Sequence, residues 1–177
     1  MPVIPLVRCT KMAQELNILI ISSSAQITEC LSFYSDELNA QKHFANNRKS
    51  AIEYISNHKE QPTLVVIDNS LSNDSAFELL NELQNLSTEL GVVVILSTDE
   101  LNELSRYLEA GTRDYLIKGE HFQASTKAVL KNALNTLMCN LEKKKFIKAI
   151  LKLNKALLVL NKENERLIEE IKVAKGI

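Results

Sequence analysis

Cysteine, glycine, proline and long apolar runs are all scarce in this chain of 177 residues, and each scarcity removes a class of protein. Three cysteines, Cys9, Cys30 and Cys139, are too few and too irregularly spaced for a disulfide scaffold. No CxxC pair occurs, so reduced thiols in a cytoplasmic setting are the expectation. Four glycines and three prolines exclude collagen and low-complexity linkers. The longest apolar runs, such as Val92–Leu96, are strand-sized, so no transmembrane helix is expected. The opening Met1-Pro2-Val3-Ile4-Pro5 lacks both the charged start and the long apolar stretch of a signal peptide. No GxxxxGK[ST], GxGxxG or GxSxG motif is present, which removes the usual starting points for nucleotide binding and hydrolysis. His43, His58 and His121 stand at no ligand-like spacing to cysteine or acidic residues, so no metal centre is expected there.

What remains is a chain of two characters. The net charge is −1, but residues 140–177 carry +5 and leave −6 on residues 1–139. Turn residues recur before about 120, whereas residues 120–175 contain neither glycine nor proline. Both shifts place a boundary near 140, between a domain over 17–138 and a helix over 139–177, while residues 1–16, with two prolines and no sustained period, read as an N-terminal extension.

Within the domain, short apolar runs alternate with helical periodicity. Asn17–Ile21, Thr63–Ile67 and Gly91–Leu96 read as strands buried on both faces, with a weaker strand at His43–Ala45 and a last one at Asp114–Ile117. Helical spacing separates them, as in Ile27, Cys30, Leu31, Tyr34 and Leu38, and in Leu101, Leu104 and Leu108 before Gly111. Five strand–helix units in strict alternation predict a doubly wound, five-stranded parallel sheet of the α/β class.

In such a sheet, chemistry collects where the strands end. Those ends carry Ser22-Ser23-Ser24, Asp68, Ser97 and Lys118. With these residues at its strand ends, the stretch 17–135 resembles the receiver domain of two-component response regulators, a flavodoxin-like fold. The stretch Ile67–Leu80 runs without gaps along that family's phospho-acceptor segment. The resemblance implies that Asp68 is the phospho-acceptor, Ser97 the switch hydroxyl, Tyr115 the switch aromatic and Lys118 the lysine that pairs the aspartate or phosphate. It also exposes departures. Ser22 and Ser23 occupy the positions where the family has two acidic residues that hold Mg²⁺, an ion usually anchored by one or two carboxylates. Thr98 replaces a small residue, and Ser72 and Ala76 replace the usual proline and glycine after the acceptor.

A degenerate receiver is therefore expected, with no cofactor and weak Mg²⁺ binding at most. Asp68 is the only obvious carboxylate at the crevice, and an ion pair of Asp68, Ser97 and Lys118 would hold it together. The alternative is a working phospho-acceptor at Asp68 that controls an output domain absent from this chain. In either reading the chain is a signalling module rather than an enzyme, and a sensor kinase or output protein is its expected partner.

From about Ala124 to Ala174 nothing interrupts a helix. Phe146, Ile150, Leu153, Leu157, Leu160, Asn164, Leu167, Ile171 and Ala174 follow the alternating spacing of a heptad seam. Asn164 falls at an a position, where a lone Asn fixes a parallel, in-register pair. A homodimer through a C-terminal coiled coil follows. Lys143-Lys144-Lys145 reads as a solvated helix face, so no membrane partner is expected and nucleic acid is disfavoured.

Overall fold

The fold follows from where the sequence can bury apolar surface. A computed structural model describes residues 16–71, 76–87, 89–112 and 114–175. The expected extension over 1–16 and the departure at Ser72 lie outside the described residues, apart from Leu16. The elements run β1 (Asn17–Ile21), α1 (Ala25–Glu37), β2 (Gln41–Ala45), α2 (Arg48–Asn57), β3 (Thr63–Asp68), α3 (Ala76–Leu86), β4 (Leu90–Leu96), a 3₁₀ segment (Thr98–Glu103), α4 (Leu104–Glu109), β5 (Asp114–Ile117) and α5 (Phe122–Lys175). The chain falls into two compact units, Met1–Leu137 and Met138–Ile177.

The sheet order is β2-β1-β3-β4-β5 and every pairing is parallel. β1 and β3 are buried along their whole length, which is why they read as unbroken apolar runs. The chain winds first one way and then the other from β1, so the order reverses between β1 and β3 and leaves a crevice at their carboxyl ends. One face of the sheet packs Leu19, Ile21, Val65, Ile67, Val92, Val94 and Leu96 with Ala51, Ile55, Leu79, Leu80 and Leu83 of α2 and α3. At the start of α5, Phe122, Leu130, Ala133, Leu134 and Leu137 recur at helical spacing and are buried.

A missing side chain sets one close approach. A Cβ on Gly91 would stand 3.2 Å from Leu64 Cδ1 and 3.5 Å from Leu137 Cβ, so glycine lets α5 lie near the sheet at β4. Gly111, at φ +93°, ends α4 in the left-handed conformation that residues with a Cβ avoid.

The helix expected around Leu101, Leu104 and Leu108 differs in phase. Its first part is 3₁₀, with three residues per turn, so Leu101 and Leu108 do not share the core side on which Leu104 stays packed. Leu101 and Leu108 are exposed, and Tyr107 is the residue α4 buries. Tyr107 packs edge-on against the Phe77 ring at 5.7 Å, and the Arg106 guanidinium lies 3.8 Å from that ring's centre.

Candidate functional site: the crevice at Asp68

Register alone brings the polar strand ends together. Ile21 pairs Ile67 and Asp68 pairs Ile95, so Ser22 and Asp68 leave the sheet side by side. Leu96 pairs Ile117, and the Lys118 N–H donates to the Leu96 carbonyl at 2.8 Å, which sets Lys118 beside the same edge.

The Asp68 side chain is 1% exposed. Its Oδ1 accepts from Lys118 Nζ at 2.7 Å, from the Ser70 N–H at 3.1 Å and from Ser70 Oγ at 2.9 Å. Its Oδ2 accepts from Ser22 Oγ at 2.8 Å. Ser22 Oγ in turn accepts from the Ser24 N–H at 3.1 Å, which aims its proton at the aspartate. Lys118 Nζ also donates to Ser70 Oγ at 2.6 Å. Burial by itself pushes the Asp68 carboxyl up. The donors on Lys118, Ser70 and Ser22 outweigh it and hold the group below the usual carboxylate range. A buried carboxylate is thus kept ionised by one cation and three neutral donors.

The other expected residues divide. Ser23 is exposed, and Tyr115 stands outward at 41% exposure. Ser97 does not join the ion pair expected of it. Its N–H donates to Glu100 Oε2 at 2.8 Å in a capping box that opens the 3₁₀ segment. The pairing with Asp68 falls to Ser22 and Ser70 instead, because the β1 and β3 ends are adjacent.

Four participants went unread in the sequence. Ser70 supplies two of the bonds to Asp68. Glu100 is a second carboxylate near the crevice; burial raises it, but the Ser97 N–H and hydroxyl, the Asn69 amide and the Lys118 charge leave it lowered. Asn69 accepts a hydrogen bond from the Tyr107 hydroxyl through Oδ1. Burial first, then the charges of Glu103 and Glu100, push the Tyr107 phenol up to about 12. Only Glu100 had a legible signal, the Ser-x-x-Glu spacing of a capping box. Asn69 and Tyr107 meet through tertiary packing alone.

The profile of the response regulator receiver domain matches residues 11–130. The chain belongs to that family. Among curated proteins, the transcriptional regulatory protein MalR of Bacillus subtilis is 27% identical over 110 residues, covering 61% of this chain and 46% of that protein. The receiver therefore spans less than half of that relative. Among solved structures, NtrX from Brucella abortus superposes with a TM-score of 0.65 at 21% identity, over 73% of this chain and 29% of that one. A response regulator receiver domain protein from Clostridium thermocellum gives 0.62 at 17% identity, over 75% and 98%. At these identities the superpositions establish the flavodoxin-like receiver fold, and the profile establishes the family.

The heptad residues lie in the second unit. From Glu142 to Lys175 every residue of α5 is exposed, Asn164 and the apolar seam included. Among the described residues, no helix is long and apolar enough to cross a membrane.

Proposed function

We propose that this receiver is atypical: its crevice is closed by internal hydrogen bonds rather than by a divalent ion, and it signals through dimerisation and protein contacts. The observation that carries the reading is the complete engagement of Asp68. Both carboxylate oxygens already accept hydrogen bonds, and Ser22 donates to one of them where the family has an acidic metal ligand. Mg²⁺ requires near-octahedral oxygen ligation and usually one or two carboxylates. Here the neighbouring positions supply neutral hydroxyls, Ser23 faces solvent, and Glu100 is committed to the Ser97 N–H. These residues do not fit the ion.

The test is a titration of Mg²⁺ followed by amide shifts near Asp68. Shifts stay flat to millimolar concentration in the natural chain, and installing Ser22→Asp with Ser23→Asp creates a site. Saturation of the natural chain below about a millimolar overturns the reading.

The second half of the proposal rests on the C-terminal unit. Its seam of Ile150, Leu153, Leu157, Leu160, Leu167 and Ile171 is 41–61% exposed, apolar surface that water disfavours and that a second copy buries. Light scattering should give a dimer for the full chain and a monomer for Leu153→Asn with Leu157→Asn. A monomeric full chain at micromolar concentration, or a dimeric variant, overturns pairing through this seam. A sensor kinase and an output protein are the partners such a receiver would serve.

A further inference from the structure

We infer that residues 143–162 of α5 adsorb, lying in the plane of the interface, to an anionic lipid bilayer. The sequence reading placed Lys143-Lys144-Lys145 on a solvated helix face; the arrangement of all seven lysines on a fully exposed helix argues otherwise.

This stretch contains seven lysines and no acidic residue. It is helical throughout, and all of it is exposed. At 3.6 residues per turn, Lys144, Lys145, Lys148, Lys152, Lys155 and Lys162 fall within an arc of about 100°. Opposite them, Phe146, Ile147, Ile150, Leu151, Leu153, Leu157, Leu158 and Leu160 fill an arc of about 180°. Phe146, Leu153 and Leu158 are 68%, 61% and 62% exposed. Lys143, Asn154 and Asn161 interrupt the apolar arc, and Val159 interrupts the basic one.

Two features separate this face from an ordinary coiled-coil exterior. The first is charge. Lys148, Lys152 and Lys155 have no carboxylate three or four positions away, and each faces another lysine at such a spacing, an arrangement unfavourable to a helix in water. Beyond Lys162 the helix changes character: Arg166 meets Glu163 at 2.8 Å and Glu170 at 3.7 Å, and Lys172 meets Glu169 at 3.6 Å. From Glu163 onward, pairs of opposite charge within the helix replace the run of lysines. The second is width. A two-stranded seam buries a narrow stripe, while Ile147, Leu151 and Leu158 lie off it.

A wide apolar arc backed by a lysine stripe, in a segment too polar to span, is the pattern of an interfacial helix. Its twenty residues extend about 30 Å along the surface. A nucleic-acid duplex would engage the lysines and leave the apolar arc in water, whereas a bilayer accounts for both. Adsorption and pairing compete for the same arc, so vesicle binding and light scattering test separate claims.

The experiment is co-sedimentation of the full chain at low salt with neutral phosphatidylcholine vesicles and with vesicles containing about a third phosphatidylglycerol. Binding to the anionic vesicles alone is expected. Each lysine near such a surface is worth roughly fivefold, so K148E/K152E/K155E should weaken binding at least about a hundredfold. L151S/L158S, off the dimer seam, should weaken it as well, with helicity by circular dichroism unchanged in both variants. Absence of binding to anionic vesicles, equal binding to neutral ones, unchanged binding of either variant, or retention of duplex DNA in place of vesicles would each overturn the inference.

Discussion

Replacing Lys118 by Met removes the one cation that bonds Asp68 among the described residues and keeps most of the side-chain volume. For a buried pair, stranding one partner costs about 3–5 kcal/mol. Two features of this crevice lower the figure. Lys118 is 26% exposed, so water already screens part of the interaction. The Ser70 N–H, Ser70 Oγ and Ser22 Oγ also remain as donors to the carboxylate. A loss of about 2 kcal/mol at pH 7 follows, the size of one charge-assisted hydrogen bond. With a urea slope of about 1.5 kcal/mol/M for a domain of this size, the midpoint falls by more than about 1 M. Asp68→Asn is milder, because the amide oxygen can accept from Lys118 and Ser70 while its NH₂ donates to Ser22 Oγ. The double variant should therefore recover at least about 1 kcal/mol relative to additivity. The effect also depends on pH. The Asp68 carboxyl is lowered in the fold, so its contribution is present above the ordinary carboxylate range and is lost as pH falls below it. The gap between wild type and Lys118→Met should narrow as acid protonates Asp68. Coupling below about 0.3 kcal/mol in the cycle, or a gap that widens in acid, refutes the argument.

Other consequences follow from single contacts. Tyr107→Phe leaves Asn69 Oδ1 without its donor at a half-buried position and should cost about 1 kcal/mol by denaturant unfolding. Because the Tyr107 phenol is raised to about 12, its protonated form contributes stability below pH 10, and that contribution is lost as pH rises from about 10 to about 12; an alkaline unfolding series on wild type and Tyr107→Phe checks the difference. Gly91→Val forces a branched side chain toward Leu64 and Leu137 and should lower stability by about 1–3 kcal/mol, with Gly91→Ala nearer the low end, by the same assay. Asn164→Leu should raise the thermal midpoint of the C-terminal helix while broadening the distribution of oligomers in light scattering.

How much of this was legible depended on which force decided each feature. Strands buried on both faces are apolar along their middle, with polar residues such as Asn17, Thr63 and Asp68 only at their ends, so β1, β3 and β4 announced themselves within a residue of their ends. The strand order then placed Ser22, Asp68 and Lys118 at one edge, because parallel register carries sequence position into space. Partner choice was not legible. Ser70 reaches Asp68 through a local turn, and Ser97 is engaged by Glu100 in a capping box instead. The phase of α4 failed for a different reason: a 3₁₀ start shifts the periodicity, so exposed leucines looked like a core face and Tyr107 did not. Distant pairs such as Tyr107 and Asn69 leave no periodic trace at all.

The central claim is that the Asp68 crevice is closed upon itself. Incubating the full chain with a small acyl phosphate and Mg²⁺, then weighing the intact protein, tests it most directly. The account predicts an unchanged mass, since Ser22 and Ser23 offer no carboxylate for the ion and Asp68 is bonded on both oxygens. A stoichiometric gain of one phosphate, abolished by Asp68→Asn, would contradict it.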